Sequence, residues 1–398
     1  MKKKIMLLGG NFYQMTATKA AKEMGCYVIS VDYLPNNPAH KYADEYHNVS
    51  TTDKEAVLQL AQKLKIDGIV SYASDVSAPT AAYVAEKMGL PTNPYDSVYL
   101  MTRKDLFRPF LEKHQFHVPK GKGFTNKIEA KAFFDTLKKP VMIKPVDASG
   151  SKGVSKIEKE EEFSAAYELA LSYSSAKTVV IEEFLQKEGY QIAGDGFLVD
   201  GELQFVGLMN EHFDRLCNPL VPIGESYPSI LSEPLKKKAK CEIQRLLQLL
   251  GMKMGAVNLD FIVDKTGEVF ILEIGPRNGG NLITDAIRLA SGVDLANYTI
   301  RAALGMDCHS LVEQPIHTYV SSYIVHTIQD GIYDYIELKN GIEADLIKSH
   351  LFVKEGEKIS RFEHGGYGIG AMLIQHKNIE EMCYRMDHME EFIRVVVK

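Results

Sequence analysis

The first part of the chain alternates short apolar runs with stretches of helical periodicity. Between these runs, apolar residues recur every three or four positions, which predicts amphipathic helices. Such alternation predicts a parallel sheet with helices on both faces. The predicted strands lie at residues 5–8, 27–31 and 68–71, and the predicted helices lie at residues 15–24, 52–64 and 78–88.

The pattern changes near residue 120, where strands pair as hairpins. An Asp-Gly turn at residues 200–201 separates two apolar runs, and a second hairpin surrounds residues 264–267. A long amphipathic helix begins after Ser232 and ends at Gly251. Further elements are a helix within residues 96–115, a strand at 141–144, a helix at 160–173, a strand at 179–184 and a terminal helix at 379–390.

Bulk properties restrict the function classes. The chain has 398 residues, which predicts two or three domains. A net charge of −6 argues against a nucleic-acid binder, and no segment approaches the roughly 20 apolar residues of a membrane span. The five cysteines are scattered and form no C-x-x-C pair, so we expect reduced thiols, no zinc site and a cytoplasmic protein.

A loop of small residues follows the strand that ends on Lys144. Ser149, Gly150, Ser151 and Gly153 could let backbone N–H groups approach phosphate oxygens, with Lys144 adding a positive charge. The loop does not satisfy the Walker A pattern. A solvated turn is the alternative interpretation.

Two acids lie within apolar strands of the second hairpin. Asp260 and Glu273 point to one face if the register pairs them, and Asn258 would join them. Oxygen ligands of this kind suit Mg²⁺, whereas a salt bridge on the sheet surface is the alternative. The turn that follows, at residues 275–281, presents Arg277, a side chain suited to clamping a phosphate or carboxylate.

Taken in order, these segments resemble the ATP-grasp superfamily over residues 1 to about 310. The resemblance extends to carbamoyl-phosphate synthase, biotin carboxylase and the L-amino-acid ligase branch. It implies a mixed α/β and α+β architecture. Its expected parts are a parallel α/β domain at residues 1–95, an ATP-grasp domain of two α+β subdomains at 96–312 with a lid at about 120–190, and a small α+β region at 313–398.

The resemblance also implies nucleotide-binding residues. Lys104 and Lys144 match lysines that contact ATP phosphates, and the loop at residues 147–154 matches the mobile loop that closes over them. Glu182 matches a residue that reaches the adenine amine, while Glu183 and Leu185 match positions that contact adenine through the backbone. Gln191 falls near a ribose-binding position.

For the metal, the resemblance implies Asp260 and Glu273 as Mg²⁺ ligands, with Mn²⁺ as an alternative ion. Arg277 matches the arginine beside the transferred phosphate. Many members carry Asn where this chain has Gly275. Asn278 is therefore an additional candidate ligand.

The segment at residues 210–231 resembles the amino-acid ligase branch, where it lies near the acceptor site. Arg215 and Glu225 are candidates for binding a carboxylate and an amino group, together with Arg277 and Gly279. His212 is a candidate base, although a lone histidine is more often a packed residue.

The implied reaction joins a small carboxylate to an amine through an acyl phosphate and releases ADP and phosphate. Amino acids are the expected substrates. The alternatives are a nucleotide-precursor, carbamoyl-type or sugar-linked substrate, or an ATP-binding regulator without turnover. Dimers are common in the superfamily, so a homodimer is an option. Neither nucleic acid nor a membrane is an expected partner.

Overall fold

The computed structural model describes residues 2–398, and its N-terminal part is a parallel sheet with the strand order β3-β2-β1-β4. The elements are β1 (Lys4–Leu8), α1 (Met15–Glu23), β2 (Tyr27–Val31), β3 (Glu45–His47), α2 (Lys54–Leu64), β4 (Gly68–Ser71) and α3 (Ala78–Met88). Asp53 caps α2 by accepting a hydrogen bond from the Ala56 amide. The predicted alternation of parallel strands and helices is confirmed.

Two helices, not one, occupy the segment at residues 96–115. They are α4 (Tyr95–Met101) and α5 (Lys104–Lys113). Arg103 has an extended backbone between them, and its guanidinium pairs with Asp105. The Lys104 amide donates to the Val146 carbonyl oxygen at 3.0 Å instead of continuing α4, which fixes Lys104 beside the following strand-loop segment.

A four-stranded sheet with the order β5-β8-β6-β7 lies within residues 121–183 and forms the lid sheet. Its core contains Phe134, Phe163 and Tyr167. Its first strand and first helix were not among the elements predicted from the sequence. The elements are β5 (Gly121–Phe124), α6 (Lys127–Asp135), β6 (Val141–Pro145), β7 (Ser155–Ile157), α7 (Phe163–Tyr173) and β8 (Val179–Glu183).

An antiparallel sheet of eight strands follows, with the order β13-β12-β9-β10-β11-β14-β18-β16. A smaller sheet has the order β17-β15-β19. The elements are β9 (Gln191–Val199), β10 (Glu202–Phe213), β11 (Pro222–Tyr227), α8 (Glu233–Leu249), β12 (Gly255–Val263), β13 (Val269–Gly275), α9 (Ile283–Ser291), α10 (Leu295–Ala303), β14 (Tyr319–Val325), β15 (Gly331–Leu338), β16 (Leu346–Leu351), β17 (Lys358–Ile359), β18 (Gly370–His376), α11 (Ile379–Asp387) and β19 (Ile393–Val397).

Strands β14, β16 and β18 extend the large sheet with residues beyond 312, so the C-terminal segment continues the same layer. The division into domains stays a prediction. Among residues 2–398, no helix is both long enough and apolar enough to cross a membrane.

Alternation along β12 gives the large sheet one apolar and one polar face. Val257 and Leu259 belong to the same buried cluster as Leu247 of α8. Asn258 and Asp260, between and beyond them, line a cleft on the other side. The core under α8 therefore supports the strand that carries the candidate metal ligand.

We expect Leu247→Ala to lower the free energy of unfolding by about 2–5 kcal/mol, because the side chain is fully buried and its removal leaves a cavity. Leu249→Ala, on the exposed side of the same helix, should change it by less than about 0.5 kcal/mol. Urea denaturation measures both. Equal effects of the two substitutions would contradict the packing described for α8.

Candidate active site

A cleft of about 1610 Å³ separates the lid sheet from the large sheet and is lined by residues of both. Pockets for single small molecules usually measure about 300–1000 Å³. This cleft therefore has room for a nucleotide and a second ligand. Ser149, Gly150, Ser151, Glu183 and Leu185 are among its lining residues.

Glu182 joins three elements at the inner end of the cleft. Its carboxylate accepts hydrogen bonds from Lys144 Nζ at 2.6 Å and from Arg108 Nε at 3.0 Å. Arg108 also donates to the Leu272 carbonyl oxygen on β13. Burial alone would raise the pKa of Glu182, but the two positive charges outweigh it and lower the pKa to about 2. No local sequence pattern had indicated Arg108 as part of the site.

Asp260 and Glu273 lie directly opposite each other on β12 and β13, as the hairpin pattern predicted. Lys104 Nζ lies 3.1 Å from Glu273 Oε2, and Gln191 donates to Asp260 Oδ1 at 2.9 Å. Burial, followed by the Glu273 charge, raises the pKa of Asp260 to about 7. The positive charge near the two carboxylates is therefore too small to compensate both negative charges. Their oxygen atoms suit a divalent cation.

The Asn278 side chain is not beside these acids. It is fully buried, donates to Asp195 at 3.2 Å and accepts from Thr299 Oγ1 at 2.7 Å. Both ends of its amide are therefore bound away from the cleft, which contradicts the expectation that Asn278 contributes a metal ligand. Asn258 lines the cleft instead, directly opposite Gly275 on the paired strand.

Arg277 is held by Asp75, a residue of the loop after β4 that no sequence pattern had indicated. The guanidinium makes a two-point contact with the Asp75 carboxylate and donates from Nη1 to the Asn278 carbonyl oxygen at 3.0 Å. Burial acts to lower the pKa of Arg277, yet the Asp75 charge raises it overall. The N-terminal sheet thereby positions an arginine at the edge of the cleft.

Asp195 organises the turn after β13. It is fully buried in β9 and accepts hydrogen bonds from Asn258, Asn278 and the Gly279 amide. Burial raises its pKa to about 6 despite these donors. An acid within an apolar run was the signal used for Asp260, and the same signal marks Asp195 in the sequence.

The Gly279 amide points at Asp195, with distances of 2.8 and 3.0 Å to the two carboxylate oxygens. It is therefore unavailable to a substrate, contrary to the expectation for Gly279. The next two residues of the turn, Gly280 and Asn281, line the cleft.

The glycine-rich loop lies across the cleft and touches the C-terminal part of the chain. Ser151 Oγ donates to the Leu220 carbonyl oxygen at 2.9 Å, and the Gly365 amide donates to the Gly150 carbonyl oxygen at 3.0 Å. Gly153 lies apart from the cleft against Tyr173, where a Cβ atom would come within 2.9 Å of the ring. Residues 149–151 are thus the part of the loop that lines the cleft, and Gly153 supports the loop from outside it.

His212 is fully occupied inside the protein. Its Nδ1 lies 2.8 Å from Asp387 Oδ1 and its Nε2 lies 2.9 Å from Ser226 Oγ. Burial lowers its pKa. Both ring nitrogens are engaged by protein groups, an arrangement that favours the packed-histidine alternative over the candidate base.

The candidates Glu225 and Arg215 also line the cleft, together with Glu211. Glu225 accepts from Ser322 Oγ at 2.7 Å and from Asn281 Nδ2 at 3.2 Å, and burial raises its pKa to about 7. Glu211 lies opposite it on β10, and its Oε2 has no hydrogen-bond partner within residues 2–398. Arg215 is exposed, and it makes no ion pair with any residue between 2 and 398.

We expect Glu182→Gln to lower the free energy of unfolding at neutral pH by about 3 kcal/mol, because the cations of Arg108 and Lys144 lose their counter-charge. The folded-state pKa of about 2 lies below the unfolded value of about 4.3, so the wild-type advantage is present above pH 4.3. It should disappear as pH falls toward 2. Urea titrations across this pH range measure it.

Glu183→Gln is the matched control, since Glu183 is half-buried and accepts one backbone hydrogen bond, from Lys120. It should leave the acid limb of the stability curve unchanged. A difference between wild type and Glu182→Gln that does not vary with pH would contradict the ion-pair account.

Comparison with known proteins agrees with this geometry. Residues 137–285 match the model of the ATP-grasp domain. The carbamoyl phosphate synthase large chain of Clostridium beijerinckii is 25% identical over 303 residues, which are 74% of this chain and 27% of that relative. A formate-dependent phosphoribosylglycinamide formyltransferase of Prochlorococcus marinus is 24% identical over 99% of this chain and 98% of its own length.

Among solved structures, an L-amino acid ligase from Bacillus licheniformis superposes with a TM-score of 0.83 at 18% identity, covering 100% of this chain and 99% of that one. At this identity the likeness establishes the fold. The match at residues 137–285, together with an architecture shared over the whole length, confirms the resemblance seen in the sequence: this chain carries an ATP-grasp domain.

Proposed function

We propose that this protein is an ADP-forming ligase that activates a carboxylate with ATP and joins it to an amine. The observation that carries the proposal is the opposed pair Asp260 and Glu273, which lies beside Lys104 in a cleft that a glycine-rich loop crosses. Lys144 lines the same cleft. Phosphoryl transfer needs this combination of charge neutralisation and positioning.

The donor set fits Mg²⁺, held by Asp260 and Glu273 with the phosphate oxygens completing its shell. Asn258 is the third side chain that we assign to this site. It faces the cleft two residues before Asp260, and its amide nitrogen is engaged by Asp195 and Gly194, which leaves the carbonyl oxygen available. When bound, Mg²⁺ would neutralise charge on the transferred phosphate.

The chemistry has two steps. A carboxylate oxygen of the substrate attacks the γ-phosphorus of ATP, the bond to the β-phosphate oxygen breaks, and ADP leaves. The amine then attacks the acyl carbon, loses a proton and expels phosphate. Lys104, Lys144 and Arg277 would stabilise the negative charges, and closure of residues 149–151 would keep water from the acyl phosphate.

The acceptor end of the cleft favours amino acids as substrates. Glu211 and Glu225 are opposed buried carboxylates, and one of their oxygens lacks a partner, which suits the ammonium group of an amino acid. Arg215 lies on the same cleft as an unpaired cation suited to a carboxylate. These residues would hold the two ends of one small zwitterion.

A nucleotide-precursor substrate is the second candidate. The full-length alignment with a phosphoribosylglycinamide formyltransferase favours it, and so does a second cation, Lys187. Lys187 lines the cleft near Arg215 and makes no ion pair within residues 2–398. Two unpaired cations could bind a sugar phosphate as well as a carboxylate.

The protein should release ADP and phosphate when it is incubated with ATP, Mg²⁺ and the correct pair of amino acids. Separate panels of amino-acid pairs and of phosphoribosyl amines with formate or bicarbonate distinguish the two candidates. Release confined to the second panel would select the nucleotide-precursor alternative. AMP with pyrophosphate would exclude the acyl-phosphate route, and no release by protein that binds ATP would support a regulator.

We expect Glu273→Ala to abolish Mg²⁺-dependent turnover, with kcat reduced at least about a thousandfold, since Asp260 alone would hold the cation poorly. The matched control is Glu268→Ala on the same hairpin, where the acid is half-exposed and pairs with Lys238. Steady-state assays over a range of Mg²⁺ concentrations measure both. Wild-type turnover by Glu273→Ala would refute the metal assignment.

A further inference from the structure

Three potential metal ligands of different chemistry lie together, and two of them, Asp214 and His326, line the cleft. Asp214 and Cys217 lie on the loop between β10 and β11, and His326 directly follows β14. Their ligand atoms all lie within 4.8 Å of one another. Exposed groups of acids are common without a bound ion, but here Cys217 and His326 are buried.

The imidazole of His326 is oriented as in a metal-bound histidine. Nδ1 lies 2.8 Å from the Ile324 carbonyl oxygen, which only accepts hydrogen bonds, so Nδ1 must carry a proton. Nε2 lies 2.9 Å from Asp214 Oδ2, another acceptor. Since neither atom donates a hydrogen bond in this tautomer, the two can approach each other only around a shared proton or a shared cation.

The surroundings hold the three side chains in place. The His326 ring packs against Phe362, with 4.8 Å between ring centroids. The Leu216 amide donates to Asp214 Oδ1 at 2.6 Å, which orients that carboxylate. Arg361 donates to the Leu216 carbonyl oxygen at 3.1 Å and anchors the loop itself.

We propose that Asp214, Cys217 and His326 form a second metal site that binds Zn²⁺ or a similar transition-metal ion. Sulfur, imidazole nitrogen and a single carboxylate favour such an ion over Mg²⁺, which takes oxygen ligands. Ligand atoms around tetrahedral zinc lie about 3.3–3.8 Å apart, as bond lengths of about 2.0–2.3 Å require. The ligand atoms of the cluster lie within 4.8 Å of one another, and His326 Nε2 lies 2.9 Å from Asp214 Oδ2, so small side-chain adjustments bring them to these distances.

Three protein ligands leave one coordination position for another group. Asp214 and His326 both line the cleft, so this position can be reached from it. The same loop provides the Leu220 carbonyl oxygen that accepts the hydrogen bond from Ser151. A bound ion would therefore stabilise the surface on which the glycine-rich loop rests. The sequence did not show this site because its ligands come from segments about 110 residues apart.

Cobalt substitution tests the proposal without reference to turnover. The full chain is stripped with a chelator, and Co²⁺ is added in the presence of excess Mg²⁺, which occupies oxygen-only sites. We expect a thiolate-to-cobalt charge-transfer band and the visible bands of tetrahedral cobalt, saturating at one ion per chain. Zn²⁺ should displace the signal.

Cys217→Ser and His326→Gln should weaken metal binding at least about a hundredfold. Removing a residue that only orients a ligand lowers metal affinity about 10–100-fold, and removing a direct ligand costs more. Cys308→Ser is the matched control, because Cys308 is also buried and lies between Asp307 and His309. It should bind like wild type. If the wild-type chain gives no thiolate band, or if Cys217→Ser retains the band, the cluster is not a metal site and His326 and Asp214 form a hydrogen-bonded pair only.

Discussion

Burial of carboxylates along one cleft is the constraint on which the arrangement of this molecule depends. Each acid is compensated in a different way. Glu182 has two cations, which keep it ionised, whereas Asp195 has only neutral donors and a raised pKa. Asp260 and Glu273 face each other; Lys104 pairs with Glu273, and the nearby Lys144 is already engaged by Glu182. The acids with the least compensation lie where the proposed cation and ammonium group would bind, so incomplete compensation within the protein marks its ligand sites.

The compensating groups also join the layers of the fold. Arg108 reaches from α5 to Glu182 on the lid sheet and to β13 on the large sheet. Asp75 reaches from the N-terminal sheet to Arg277 after β13. The cleft consequently exists only when all three sheets are assembled. The three layers around the cleft are thus linked through a few charged contacts, because breaking one would leave a buried charge unpaired.

Local sequence patterns were sufficient for the elements and for contacts within one hairpin. The apolar alternation around Asp260 and Glu273 predicted their common face, and the structure pairs them directly. Contacts between distant segments were beyond such patterns. Asp75 and Arg277 are 202 positions apart, and nothing in either segment indicates the other. His212 shows the same limit, because its partner Asp387 lies on a helix near the C-terminus, 175 positions away.

Gly275 shows how one such distant contact can change the composition of a site. A Cβ atom at this position would come within 2.8 Å of Asp75 Oδ1 and within 3.1 Å of the Arg277 guanidinium carbon. The ion pair between Asp75 and Arg277 therefore occupies the space that an asparagine side chain would need. Asn258 lies directly across the hairpin from Gly275 and faces the cleft. An amide oxygen can thus be supplied from the neighbouring strand, while the glycine leaves the N-terminal sheet free to hold Arg277.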